Sequence, residues 1–392
     1  MMYGDSLQLA DVRVSRLLRG ALDVLVDNDG WIRPRRFANA QMHALTSCMA
    51  WHPGLFRQMA ATTAGVRVSF ATDATEVALE VMVDAEPSAT AAILNHIPER
   101  AAMVREVAQT SAPMVYDLRD HSVVYGPYDG FSAQVDGRVL DAVFPRFDRL
   151  HVSLRDPRTD PGEGIVALPG LGMRHEVEIW LPCLRGCAIR GLWTNGSYVE
   201  PLSSGPKLLV LGDSVGQGFC CGNPARAFPS LVAQGLNLDL VNQSLSRQVF
   251  QPTSLLGIQL DDVEHVVVEF GLGYKYERCS PTVAAQDVRG LMVEIGQRWP
   301  MAHVWVITPL WNDLKKAPAA KGSCYEALPR LIAQGIRRYG ATMVDGLGLM
   351  DHSTTLLRDE RDHPGAKGHE QIAKRLIKTM RQVNNTQTEE VK

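Results

Sequence analysis

The chain is expected to fold as two unlike parts: an all-β sandwich of jelly-roll type over residues 1–200, then a three-layer α/β/α domain around a parallel sheet over residues 201–392. Three observations predict this α/β architecture. The first half is made of short runs divided by turn signals, without long helical repeats; the second alternates apolar runs with amphipathic ones; and a turn-rich connector, Asn195 to Pro206, lies between them. With 392 residues, 45% of them hydrophobic and 21% charged, the chain has ample material for more than one core.

In the first half, the runs from Val66 to Phe70 and from Glu76 to Val83 alternate apolar and polar side chains, as half-buried antiparallel strands should. Glu176 to Pro182 and Cys187 to Trp193 repeat the theme, with Asn-Gly, Asp-Gly and Asp-Pro turns between the runs. One exception is Ala91 to Ala108, whose helix formers and apolar spacing predict a helix. Trp51, Trp180 and Trp193 stand at strand positions and are expected in the core rather than on a sugar platform. Covering the cleft, binding a sugar, mediating a homo-oligomer and plain scaffolding are all open roles for this half.

Beyond the connector, strands are expected near Lys207–Leu211, Asp239–Val241, His265–Phe270, His303–Thr308 and Ala341–Asp345. Helical patterns fall near Phe228–Leu236, Pro281–Trp299, Ser323–Tyr339 and Ala366–Val383, and the tail from Asn384 to Lys392 is expected to fray. Such alternation implies parallel strands with crossover helices on both faces, and ligands in such sheets bind at the carboxyl ends of the strands.

A formal charge of -3 provides no basic footprint, so nucleic acid and anionic membrane have no electrostatic argument as partners. Neither a secretory signal nor a long apolar span is evident, which predicts a soluble, cytoplasmic protein. Seven cysteines, few and odd in number, suit reduced, buried thiols better than a disulfide framework, and neither Cys183/Cys187 nor Cys220/Cys221 has a zinc-site spacing with histidines. No metal and no cofactor is expected.

The chemistry is carried by Lys207 to Gly216, where an apolar run ends on Gly212-Asp213-Ser214 and glycines follow at 216 and 218. A strand, a tight turn and then a helix expose a serine and aim backbone amides at a developing negative charge. Gly4-Asp5-Ser6-Leu7 spells the same tetrapeptide type without a strand before it and is read as a decoy. A serine hydroxyl needs a base, and the loop Asp359-Glu360-Arg361-Asp362-His363-Pro364 supplies a histidine with carboxylates close by. His369, beside Ile372 and Ala373, reads as a packing or helix-surface residue.

At these two blocks the chain resembles the SGNH, or GDSL, hydrolase family over roughly residues 207–383. The resemblance implies Ser214 as nucleophile and His363 as base. Family spacing puts Glu360 where the orienting aspartate usually stands, with Asp359 as the alternative. It also implies an oxyanion hole from the Ser214 amide and the residue-244 amide, Ser244 here replacing the usual glycine. Gly273 replaces an asparagine side-chain donor, which is thereby lost, and Asn312 is a candidate substitute.

The two-part design is similar to a branch that includes an acyltransferase tailoring tetracycline-type polyketides. The first expectation is a serine esterase acting on a small-molecule ester through an acyl-serine; the alternative is transfer from an acyl thioester to a hydroxylated acceptor. A ligand-binding protein with a dead catalytic domain is the reading of another class.

Overall fold

Antiparallel pairing governs the β-rich part of the computed structural model, which describes residues 7–9, 14–47, 53–98, 100, 129–143, 145, 148–154 and 173–390. Among the described residues, twelve strands precede residue 205: β1 (Leu7–Leu9), β2 (Leu18–Arg19), β3 (Asp23–Val26), β4 (Ile32–Arg35), β5 (Arg67–Thr72), β6 (Glu76–Val83), β7 (Phe131–Val135), β8 (Arg138–Val143), β9 (Arg149–Ser153), β10 (His175–Trp180), β11 (Cys187–Thr194) and β12 (Val199–Pro201). They make two six-stranded sheets. One runs β3-β4-β11-β6-β9 with β1 beside β11, the other β12-β5-β10-β7-β8 with β2 beside β5.

Val68, Phe70, Leu79, Val81, Ile179 and Ile189 lie in one buried cluster that both sheets line. Each such side chain contributes roughly 1.5–3 kcal/mol by leaving water. β5 departs from the half-buried pattern, because every one of its residues is buried. Its other face meets the second half of the chain: Arg67 pairs with Glu178 and with Asp239, each at 2.6 Å, and its guanidinium lies 4.8 Å from the Trp180 ring centre.

The parallel sheet comprises β13 (Lys207–Gly212), β14 (Asp239–Asn242), β15 (Val263–Glu269), β16 (His303–Ile307) and β17 (Thr342–Val344), in the order β14-β13-β15-β16-β17. Alternate strand residues feed two cores, as period-two geometry requires. Leu208, Val210, Val267 and Ile307 pack with helices Phe228–Leu236 and Ala366–Glu390; Leu209, Leu211, Val268 and Val306 pack with helices Pro281–Arg298 and Leu328–Ile336. The result is the expected three-layer, flavodoxin-like arrangement. β13 lies between β14 and β15, so strand order reverses at its carboxyl end, where open α/β sheets place ligands.

Several local expectations change. The closing helix continues to Glu390 instead of fraying after Val383. The connector contains β12, which pairs with β5 and so extends a sandwich sheet. The helix expected over 91–108 spans Ser88–Leu94, and 101–108 lie outside the described residues, as do Trp51 and the Gly4-Asp5-Ser6 decoy. Trp180 is buried, and Trp193 lies under the Arg149 guanidinium.

Cys279 and Cys324 form a disulfide, which corrects the expectation of reduced thiols throughout. The fold brings their Cα atoms to 5.4 Å across a separation of 45 residues that carries no local signal. Cys183, Cys187, Cys220 and Cys221 are free and buried. No helix among the described residues is long and apolar enough to cross a membrane.

Candidate active site

β13 delivers Ser214 to the switch point, and Asp213 organises the turn. Its Oδ1 accepts the Val215 amide at 3.0 Å, capping the short helix Ser214–Gln217, while its Oδ2 accepts the Gly271 and Leu272 amides at 2.9 and 2.7 Å. One carboxylate thus ties the end of β13 to the loop after β15. The glycines at 212 and 216 let the Ser244 hydroxyl sit against the turn, since a Cβ there would come within 2.8 and 2.5 Å of Ser244 Oγ.

Ser214 Oγ lies 2.9 Å from His363 Nε2, and His363 Nδ1 lies 2.6 Å from Asp359 Oδ2. Asp359 Oδ1 accepts the backbone amides of Arg361, Asp362 and His363 at 3.0, 2.9 and 3.0 Å, so the loop is wrapped around one carboxylate. An ionised carboxylate only accepts hydrogen bonds, which puts the imidazole proton on Nδ1 and leaves Nε2 free to accept from the serine. Although burial opposes the charge, His363 and these amides hold the Asp359 carboxyl below its ordinary value. Burial likewise opposes the imidazolium, but Asp359, aided by Asp362 and Asp213, raises His363 above its usual value. Ser214 is only 3% exposed and His363 7%, so the arrangement works in a water-poor setting.

Glu360 is corrected as the orienting carboxylate. It has left-handed backbone, φ 56°, which turns its side chain outward to an exposed ion pair with Lys316 at 2.9 Å. The same reversal folds Asp359 back onto the histidine four residues later.

The oxyanion expectations change as well. The Ser214 amide sits at the first helical position, where no intrahelical acceptor exists. The Ser244 amide instead donates to Asn242 Oδ1 at 2.9 Å, and the Ser244 hydroxyl is buried without a hydrogen-bond partner among the described residues, under the Ser214 turn. At Gly273 a Cβ would stand 2.2 Å from the Gln248 carbonyl oxygen, so the position has no room for a side-chain donor. Asn312 is committed elsewhere: Oδ1 accepts Lys275 Nζ at 2.7 Å and Nδ2 donates to the Leu310 carbonyl and the Tyr325 hydroxyl.

Lys275 was not singled out from the sequence. It is fully buried and also pairs with Asp362, which accepts from the Tyr276 hydroxyl and adjoins His363. Burial lowers its pKa while Asp362 opposes that shift. Glu269 is a second unforeseen member. Its Oε2 accepts the Gly216 amide at 3.2 Å, and burial, then the neighbouring Asp213 charge, pushes its carboxyl far above the usual range. His369 is fully buried, accepts the Phe228 amide at 3.2 Å and is lowered to about 4 by burial, consistent with a packing role.

A loop and two helices of the β-rich half, Asn39–Ser47 and Pro53–Ala60, hold this centre. Arg36, wholly buried, donates from Nη1 to the carbonyls of Asn242 and Ser244 at 2.9 and 3.0 Å, and from Nη2 to the Met59 carbonyl at 2.7 Å. Gln41 Nε2 donates to Gln243 Oε1 at 2.9 Å.

No curated protein matches the chain by sequence. Solved structures of similar fold include salicylyl-acyltransferase SsfX3 from a tetracycline biosynthetic pathway, 18% identical with a TM-score of 0.68, covering 98% of this chain and 99% of that one. A family two carbohydrate esterase from Cellvibrio japonicus is 12% identical with a TM-score of 0.56, covering 97% and 98% of the two chains. The acetyl xylan esterase Est2A from the rumen bacterium Butyrivibrio proteoclasticus is 11% identical with a TM-score of 0.54, covering 97% and 99%. At these identities the likeness is one of fold. Residues 210–371 match the family model of the GDSL-like lipase/acylhydrolase family. With its parallel sheet and Gly-Asp-Ser turn, the chain is an enzyme whose residues 210–371 form a GDSL-like lipase/acylhydrolase domain.

Proposed function

We propose that the protein is a serine-dependent acyl ester hydrolase acting on a small-molecule ester, with Ser214 as nucleophile, His363 as general base and Asp359 as its orienting carboxylate. The observation that carries this reading is the continuous contact from Ser214 Oγ to His363 Nε2 and from His363 Nδ1 to Asp359. His363 Nε2 takes the serine proton as Oγ bonds to the acyl carbon; the same proton passes to the departing alkoxide. Water then attacks the acyl-serine with its proton going to Nε2, and Oγ leaves with that proton. The Ser214 amide is the oxyanion donor supported by its position. Losing a single donor typically costs about 10²- to 10³-fold in rate, so turnover below that of a complete hole is expected.

A second reading, transfer of the acyl group to an alcohol, is supported by the likeness to SsfX3 across nearly the whole chain. Both readings share the acyl-serine and differ in what arrives second. In both, the chain divides near residue 200, and the β-rich part acts as a brace for the catalytic loops through Arg36 and Gln41.

A fluorophosphonate should label Ser214, located by peptide mass, and aryl esters should be turned over by wild type but not by Ser214→Ala. A folded protein that takes no label and turns over no ester or thioester overturns the proposal. Partition of the acyl group between water and a panel of hydroxylated acceptors separates hydrolysis from transfer.

A further inference from the structure

The nucleophile turn places one group beside the relay that acyl transfer does not use. Cys220 follows Phe219, whose ring centre lies 5.9 Å from that of His363. Its backbone is left-handed, φ 65°, between Gly218 at 100° and Gly222 at 76°. Cysteine rarely adopts that conformation. Here the turn carries the thiol back toward the Asp359–His363 pair: the ligand atoms of Cys220, Asp359 and His363 all lie within 4.8 Å of one another, and all three residues are buried.

Thiolate, imidazole and carboxylate are the three donor types that zinc takes, at about 2.3, 2.0–2.1 and 2.0–2.2 Å. Tetrahedral geometry at those lengths separates the donors by roughly 3.4–3.6 Å. Closing the Cys220 thiol by about 1 Å from its upper limit of 4.8 Å, and opening the Asp359–His363 contact by about 0.8 Å from 2.6 Å, converts the present cluster into three corners of such a site, with the fourth left for water.

We propose that Cys220, Asp359 and His363 form an inhibitory site for zinc or a similar thiophilic divalent cation. The metal bonds to Sγ, to an Asp359 oxygen and to His363 Nδ1. The thiol proton leaves to solvent, and the Nδ1 proton is replaced by one on Nε2, because a neutral imidazole metallated at one nitrogen carries its hydrogen on the other. Nε2 is then a donor and cannot accept from Ser214. The metal therefore stops catalysis by fixing the wrong tautomer, with no need to block the serine sterically.

The inhibition arm rests on the proposed acyl-transfer activity; the spectroscopic arm does not. In the first, zinc at about ten times its Kd should lower ester turnover about tenfold, reversibly with chelator, since only the metal-free fraction works. In the second, cobalt(II) should give a near-ultraviolet thiolate-to-metal charge-transfer band that saturates at one ion per chain and is displaced by zinc.

Cys220→Ser and Cys220→Gly should both abolish the band and the zinc sensitivity while keeping basal turnover within about twofold, the glycine variant suiting the left-handed backbone. Cys221→Ser should retain both effects. A wild-type protein without the band, or a band and inhibition that survive in folded Cys220 variants, overturns the site. A protein that shows the band but no turnover with any acyl donor leaves the metal site standing and overturns the acyl-transfer reading instead.

Discussion

Replacing Asp359 by asparagine tests the site at its most informative point. The asparagine carbonyl keeps the position that gathers the Arg361, Asp362 and His363 amides, so the loop has reason to stay folded. Its Nδ2 then faces His363 Nδ1 in place of a carboxylate oxygen that lay at 2.6 Å. An amide N–H donates, so Nδ1 must accept, the imidazole hydrogen moves to Nε2, and the base loses its lone pair toward Ser214. In serine hydrolases built on the same relay, this change costs about 10⁴-fold in kcat, or about 5.5 kcal/mol of transition-state stabilisation. The imidazolium also loses the carboxylate that raises His363, so the rising limb of residual activity should move to lower pH. Wild-type activity should rise through a pKa above the ordinary histidine value of about 6.5, because the base works only when neutral. Glu360→Gln should stay within about twofold, since its partner is an exposed lysine worth at most about 1 kcal/mol. Steady-state hydrolysis of an aryl ester, with circular dichroism as the folding control, decides the matter. Loss in Glu360→Gln with near-normal Asp359→Asn would refute the assignment.

Three further outcomes follow from the same contacts. Glu269 has a folded pKa above its unfolded value, so the native state binds more protons and stability must fall as pH rises from about 4.3 toward that folded value; Glu269→Gln should flatten the decline in urea midpoint between pH 5 and 8. Arg36→Met strands the carbonyls of Asn242 and Ser244 in the interior, while that of Met59 keeps the Thr62 amide and hydroxyl, and should destabilise by about 2 kcal/mol or more, read from the urea midpoint. Replacing both Cys279 and Cys324 by serine should lower stability by up to about 4 kcal/mol, the chain-entropy value for a 45-residue loop, with an unchanged unfolding midpoint arguing against the bond.

What could be read in advance was what depends on nearby residues. β13 is foretold by an apolar run because a parallel strand buried on both faces needs no alternation, and helix Phe228–Leu236 is bounded by its own proline and left-handed Asn237. Ser214 and His363 sit in blocks whose residue types suggested the pair that the fold brings to 2.9 Å. Glu360 misled because equal spacing was taken to mean equal direction, and a single positive φ reverses the direction. Lys275 looks like a surface lysine in the sequence; its buried role depends on Asn312 and Asp362, 37 and 87 residues away. Cys220 was hidden for the same reason, since its two proposed co-ligands lie on the far loop.

The departures from the family pattern share one physical cause. Ser244 turns its amide to Asn242 and its hydroxyl under the Ser214 turn, and at Gly273 a Cβ would come within 2.2 Å of the Gln248 carbonyl oxygen. Both contacts involve the loop after β14, whose carbonyls at 242 and 244 end on Arg36 and whose Gln243 side chain meets Gln41. A buried guanidinium with this many carbonyl acceptors cannot shift without leaving several of them unpaired, so the β-rich half dictates the loop's position. The loop that would supply the second oxyanion donor is therefore held by a different part of the chain. Movement of the loop backbone that carries the Ser244 amide toward an acyl group works against the Arg36 clamp. A variant that weakens the clamp without emptying it, such as Gln41→Ala, should consequently change the acyl-transfer rate at unchanged Ser214 labelling capacity.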